Sequence, residues 1–259
     1  MILHSQQFGS GFPFVILHGF LGTGDNWKSM GLQLAEDGFE VHLVDQRNHG
    51  RSFHDVGFSY ELMANDLLAY CDVHGIKEMI LLGHSMGGKT AMEFATKNPK
   101  RVKALIVADI GPKSYPQHHQ DILKGLSSLD FSVIKSRGEA DDLLSAYVPN
   151  IGVRQFLLKN LYWVDKGVLG LRMNLPVLID KIEEVGKSLD AEATYDGPTL
   201  FLGGENSGYI QPMDELLIMK HFPKATIEKV SNAGHWLHAE NPSEFYHKIK
   251  VFLDGFGEL

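Results

Sequence analysis

The stretch Met79-Ile80-Leu81-Leu82-Gly83-His84-Ser85-Met86-Gly87-Gly88-Lys89-Thr90-Ala91-Met92 decides how the chain is read. Four apolar residues lead into Gly83-His84-Ser85-Met86-Gly87, and a helix-compatible run follows. A G-x-S-x-G pentapeptide between a strand and a helix is the pattern of a nucleophile elbow. The sharp turn strains φ and ψ and lifts the serine hydroxyl clear of the backbone. Glycine on either side leaves room where a Cβ would meet the neighbouring strand or helix. The helix starts at the serine, so its unpaired N–H groups and positive dipole end face any negative charge that develops there. The plainer alternative is a glycine-rich turn that holds a serine; the flanking strand and helix favour the elbow.

Outward from the elbow, apolar runs alternate with helical patterns. Met1 to Phe8 predicts an edge strand, and Phe14-Val15-Ile16-Leu17 a strand buried on both faces of a parallel sheet. Trp27 to Asp37 predicts a helix and Glu40 to Val44 the next strand. A helix then runs from Ser59 or Tyr60 to His74, with Gly75 as its C-cap. Past the elbow, Asn98-Pro99 stops the helix, and Val102 to Ala108 is a strand ending at Asp109. From Ser114 to about Tyr195 the rhythm changes. Helical patterns occupy Gln120 to Leu126, Glu139 to Tyr147, Arg154 to Tyr162 and Val177 to Val185, with Leu169 to Met173 as an extended piece. The alternation returns with a strand at Pro198 to Gly203, a helix at Met213 to His221, a strand at Thr226 to Val230 and a helix at Pro242 to Leu253. The expected fold is α/β, a mostly parallel twisted sheet with helices on both faces. Residues 1–112 and 196–259 form its core, and 113–195 a helical cap inserted between two late strands.

Composition narrows the function classes. The 24 basic and 32 acidic residues give a formal charge of -8, which argues against nucleic acid or an anionic membrane surface as partner. One cysteine, Cys71, excludes a disulfide framework and reads as a small buried residue. No apolar run reaches membrane-spanning length, and Met1-Ile2-Leu3-His4-Ser5 lacks the parts of a signal peptide. A cytoplasmic monomer or homodimer acting on a small molecule is the expectation. The 13 histidines lack the paired spacings of a metal site, and no cofactor is expected.

A serine hydroxyl needs a base within hydrogen-bond reach. His235 follows the last strand, at the C-terminal edge of the sheet where the elbow also opens. It also satisfies the chain order serine, acid, histidine. His118-His119 read as solvated cap residues, and His84 as packing or hydrogen-bonding within its turn. The acid has two candidate sources. The strand after the cap ends Gly203-Gly204-Glu205-Asn206-Ser207, with an amide, Asn206, where an aspartate often stands. The strand next to the elbow ends in Asp109, whose carboxylate is costly to bury unpaired. Asp109 is favoured, with Glu205 as the alternative should Asp109 only cap the Gly111-Pro112 turn. The oxyanion donors are expected to be the backbone N–H groups of Phe20 and Met86. His18, Gly19, Leu21, His84 and Trp236 are expected to contact substrate. The loop Asp45-Gln46-Arg47-Asn48-His49-Gly50-Arg51-Ser52 reads as a brace. Cap residues Phe131, Tyr147, Phe156, Tyr162 and Trp163 either line an acyl pocket or pack helices.

These stretches, with Asn232-Ala233-Gly234-His235-Trp236 and the cap segment Gln155-Phe156-Leu157-Leu158-Lys159-Asn160-Leu161, resemble the α/β-hydrolase superfamily. The chain looks most like its small YbfF-type esterase branch and the related mitochondrial abhydrolases. The resemblance implies a serine carboxylesterase or thioesterase for short- to medium-chain acyl groups, acyl-coenzyme A among them, and an acid at the position of Asp109. A carbon–carbon bond hydrolase uses the same residues. Dehalogenase chemistry needs a carboxylate at position 85 and is disfavoured. A non-catalytic ligand-binding module on the same fold is the rival of a different class; an intact Ser85, Asp109 and His235 set argues against it.

Overall fold

In a computed structural model that describes residues 1–257, the strand of the elbow becomes the middle strand of a seven-stranded sheet. The last two residues of the expected core, Glu258 and Leu259, lie outside the described residues. The sheet strands are β1 (Ser5–Phe8), β2 (Phe12–Leu17), β3 (Phe39–Val44), β4 (Met79–His84), β5 (Val102–Ala108), β8 (Thr199–Gly204) and β9 (Ala225–Val230), in the order β1-β3-β2-β4-β5-β8-β9. Strand β1 is antiparallel to β3; every other pairing in this sheet is parallel. Each β4 residue is buried, and its side chains divide between two clusters. Leu81 joins Leu67, Tyr70, Phe94 and Phe222 on one face; Ile80 and Leu82 join Trp27, Leu34, Phe245 and Ile249 on the other. That two-sided burial is why the run is continuously apolar rather than alternating.

Helices cover both faces: α1 (Lys28–Glu36), α2 (Tyr60–His74), α3 (Met86–Lys97), α9 (Glu215–His221), α10 (Leu237–Glu240) and α11 (Pro242–Asp254). Helix α2 starts where the Ser59 hydroxyl accepts from Leu62 N–H and stops at Gly75 in the left-handed region, φ 70°. Cys71 is fully buried in the core.

Between β5 and β8 lie helices α4 (Gln120–Ser127), α5 (Arg137–Ser145), α6 (Ile151–Leu158), α7 (Leu175–Asp180) and α8 (Ile182–Val185) and a hairpin of β6 (Leu161–Asp165) and β7 (Val168–Leu171). Two expectations change here. The helix expected from Arg154 to Tyr162 ends at Leu158, and Leu161, Tyr162, Trp163 and Asp165 pair with β7 instead, with an irregularity at Val164. Aromatic and β-branched residues suit a strand, and Gly167, φ 75°, makes the turn. The helix expected over Val177 to Val185 is two short helices broken at Lys181, φ -105° and ψ 19°. Leu123, Leu144, Leu157, Leu169 and Leu178 of this segment pack with Phe20, Leu21, Met63 and Met86 of the sheet side. Lys89 is buried on α3, and its ammonium donates to the backbone carbonyls of Lys113 and, at 2.9 Å, Lys187, near the two ends of the insertion. Burial and Lys113 push its pKa down to about 7. Among the described residues no helix is long and apolar enough to cross a membrane.

The elbow depends on bare backbone. A Cβ on Gly83 would stand 2.2 Å from Gly87 O, and one on Gly87 2.3 Å from Leu17 O. Gly83→Ala is expected to lower unfolding free energy by at least about 2 kcal/mol, because backbone and not a flexible side chain must move. Urea unfolding of the variant beside the parent measures it; an unchanged midpoint contradicts the packing described.

Candidate active site

Ser85 sits between β4 and α3 with φ 53° and ψ -118°, outside the regions that L-residues favour. Its N–H donates to Ala108 O at 3.0 Å, which ties the turn to the end of β5. The residue that follows Ala108 is Asp109, also strained at φ 50° and fully buried. Its carboxylate is committed on every side. Oδ1 accepts Gly204 N–H at 3.0 Å, and Oδ2 accepts the Ser207 hydroxyl and, at 2.8 Å, Nδ1–H of His235. These bonds offset the loss of hydration that burial imposes. Glu205 is exposed and accepts Asn232 N–H at 2.8 Å; it makes no hydrogen bond to His235. Gly111 N–H goes to the Tyr115 hydroxyl and not to Asp109.

Ser85 and His235 line one cavity of about 240 Å³ with Gly19, Phe20, Leu21, His84, Ile122, Phe156, Leu157 and Trp236. No hydrogen bond joins Ser85 Oγ to His235 in this structure. The lining is mostly apolar, as small-molecule sites are. Of the residues expected to contact substrate, Gly19, Leu21, His84 and Trp236 reach the wall. His18 does not; it lies behind the wall. Its Nε2 accepts Gln46 N–H at 3.0 Å and its Nδ1–H donates to Gly19 O at 2.8 Å, so it is a neutral brace. Burial pushes its pKa down to about 4. His49 repeats the device: Nε2 accepts Leu21 N–H at 3.2 Å and Nδ1–H donates to Arg47 O at 2.9 Å. Burial, then His18, pushes it down to about 3. His84 donates from Nε2 to His235 O at 2.8 Å, across to another loop instead of within its own turn. Burial, then His235, pushes its pKa down to about 3.

The N–H groups of Phe20 and Met86 have no backbone partner, and both belong to the segments that meet at Ser85. Among the cap aromatics, Phe156 reaches the cavity; Phe131 and Tyr147 pack in the cap core, Tyr162 lies under the Arg172 guanidinium and Trp163 is exposed. Four residues here carried no signal in the sequence. Ser207 holds Asp109, and Tyr209 stacks on the His235 ring at 4.1 Å and 17°. His118 and His119, read as solvated, both line the cavity. His118 stays exposed, as expected, and bonds the Tyr209 hydroxyl at 2.7 Å at the cavity rim, whereas half-buried His119 packs edge-on against Phe20 and is turned inward.

A strained serine at a strand–helix elbow, a buried aspartate paired with a half-buried histidine beside it and an insertion above a parallel sheet are the marks of an α/β hydrolase. A family model for the alpha/beta hydrolase fold matches residues 13–132. The chain is 38% identical over 246 residues to the sn-1-specific diacylglycerol lipase ABHD11 of Mus musculus, covering 92% of this chain and 80% of that protein. It is 32% identical over 251 residues to esterase YbfF of Escherichia coli K12, covering 96% of each. A solved marine microorganism esterase matches with a TM-score of 0.94 at 41% identity, covering 97% of this chain and 99% of that one. The chain belongs to the α/β-hydrolase family, in the branch that includes YbfF.

The buried imidazoles make stability pH-dependent. His18, His49 and His84 have folded pKa values below the unfolded value, so the unfolded chain binds more protons in acid. Their stabilising contribution is complete above about pH 6.5 and is lost as pH falls towards about 4. Each contributes a slope of about 1.4 kcal/mol per pH unit in that window. Urea unfolding across it is expected to show a steep acid loss; a flat profile contradicts neutral, buried imidazoles.

Proposed function

We propose that the chain is a serine carboxylesterase that hydrolyses short- to medium-chain acyl esters through an acyl-serine intermediate. The observation that carries this reading is the 2.8 Å pair of Asp109 Oδ2 and His235 Nδ1, with His235 and Ser85 on one cavity wall. Ser85 Oγ attacks the ester carbonyl while His235 Nε2 takes its proton. The carbonyl electrons move to an oxyanion held by the N–H groups of Phe20 and Met86. Asp109 keeps Nδ1 protonated, aims the ring and stabilises the imidazolium. Collapse of the tetrahedral intermediate expels the alcohol, which takes the proton from His235. Water then loses a proton to His235 and attacks the acyl-serine carbonyl; collapse breaks the bond to Ser85 Oγ, which takes the proton back from His235 as the carboxylic acid leaves. Segment 113–195 serves as the cap that roofs this chemistry.

The size of the cavity supports a short to medium acyl group. A volume of about 240 Å³ lies below the usual range for drug-sized ligands, which starts at about 300 Å³. Thioesters and some carbon–carbon bonds are cleaved by the same residues, so the leaving group is left to the wider site. A second cavity of about 490 Å³ adjoins the first and shares Val153, Phe156 and Trp236 with it. It offers room for a bulkier alcohol or thiol. The reading includes a cytoplasmic monomer or homodimer working on a diffusing substrate, in keeping with a net charge of -8 and one buried thiol.

A serine-directed fluorophosphonate tests the nucleophile: a mass adduct on Ser85 is expected, and the folded protein staying unlabelled sinks the proposal. For the acid, Asp109→Asn is expected to lower kcat by about 10⁴-fold, since it reverses the tautomer that His235 needs. Glu205→Gln should change kcat by less than about threefold. A larger loss in the second variant reassigns the acid. A p-nitrophenyl ester series of rising acyl length, run beside acyl-coenzyme A thioesters and Ser85→Ala, is expected to peak at short to medium chains.

A further inference from the structure

The turn that carries Phe20 is held from both sides. Gly22 N–H donates to Gly19 O at 3.0 Å, and Leu21 inside this turn has φ 60°. A leucine in the left-handed region persists only where its surroundings fix it. One support comes from the core: His49 Nε2 accepts Leu21 N–H at 3.2 Å. The other comes from the cap: Asn160 Nδ2 donates to Leu21 O at 2.8 Å. Both peptide units of Leu21 are thereby clamped, one by each half of the molecule.

Asn160 is built for reach rather than for packing. It stands between α6 and β6, where its N–H donates to Leu157 O at 3.1 Å and its O accepts Arg172 N–H at 3.0 Å. The Arg137 guanidinium holds Leu158 O and Leu161 O, each at 2.6 Å, on either side of it. The residue is 1% exposed, and among the described residues its Oδ1 has no hydrogen-bond partner. A buried amide with one unpaired end is unfavourable for folding, and an apolar residue of the same shape avoids that cost. What an apolar residue cannot do is donate to Leu21 O.

We propose that Asn160 is a positioning residue for the oxyanion hole: through Leu21 O the seated cap fixes the Gly19–Gly22 turn and aims the Phe20 N–H at the carbonyl oxygen above Ser85. The inference rests on the esterase reading and extends it. Cap seating and transition-state stabilisation become one event, because the donor is aimed only while the cap's amide holds the turn. Substrate affinity owes little to this bond, since the ground-state carbonyl makes few demands on donor direction.

The test uses the full chain with Asn160→Leu and Asn160→Asp. Wild type and variants are assayed on a short-chain p-nitrophenyl ester and for the rate of phosphonylation of Ser85 by a fluorophosphonate, whose phosphonyl oxygen also needs the oxyanion donors. Asn160→Leu is expected to lower kcat about 10- to 100-fold with KM nearly unchanged, and to slow phosphonylation in parallel. In Asn160→Asp, the protonated carboxyl can still donate to Leu21 O and the carboxylate cannot. Its deficit relative to wild type should therefore widen as pH rises; because the same Nδ2 also donates to Leu157 O at 3.2 Å, the deficit counts only where urea unfolding of the variant at each pH shows the protein fully folded. Should Asn160→Leu fail to fold, that pH-dependent deficit carries the test alone. A kcat within about twofold of wild type, or a loss that matches only the unfolded fraction, overturns the inference. Wild type that neither hydrolyses nor labels overturns the esterase reading instead.

Discussion

The close approach of three pieces of backbone at the elbow governs the rest of the molecule. Gly87 at the start of α3 lies so near the end of β2 that a Cβ would meet both Leu17 O and His18 O. Gly83 lies as near to Gly87 and Gly88. That contact turns the chain at Ser85, opens the first turn of α3 and brings the Gly19–Gly22 turn beside it. Ser85 and the N–H groups of Phe20 and Met86 are thus placed by one packing constraint. The same constraint fixes the neighbour, because Ser85 N–H bonds the end of β5, one residue before Asp109.

Neutral histidine is the second theme of the site. His18, His49 and His84 are each buried; His18 and His49 bridge loops with both ring nitrogens, and His84 reaches His235 O with Nε2. An imidazole kept neutral can accept with one nitrogen and donate with the other, which a lysine or an aspartate cannot do. Burial holds them neutral, and neutrality keeps positive charge away from a site where His235 alone has an acid partner at 2.8 Å. The brace at Asp45 to Ser52 works similarly: the Asp45 carboxylate accepts from Gly24 N–H and Arg51 N–H, and Arg47 grips Asp66 with two nitrogens.

The insertion is tied to the core by polar links as well as by leucines. Lys89 joins its two ends, Asn174 bonds Asn48 and Asn160 bonds Leu21. Buried polar contacts of this kind specify one docking geometry where a purely apolar contact permits several. Segment 113–195 therefore has a defined seat above Ser85, while its hairpin tip carries the exposed Trp163 and Val164 away from the core.

By itself the sequence determined the strand–turn–helix at Ser85 and the mostly parallel sheet, and it favoured Asp109 over Glu205, of which Asp109 is the one that bonds His235, at 2.8 Å. Those follow from local rules: glycine where a Cβ cannot fit, apolar runs where both faces are buried, and an amide, Asn206, where a charge was otherwise expected. Only the tertiary structure decided that the Leu161–Asp165 run pairs as a strand, because cross-strand partners outweigh a short helical pattern. It alone turned His119 into the cavity, set Tyr209 on His235, moved His18 behind the wall and brought Asn160 to Leu21, 139 positions away in the chain. No periodicity in a sequence encodes such contacts. They are set by how a cap of short helices docks on a sheet, and that docking is a property of shape.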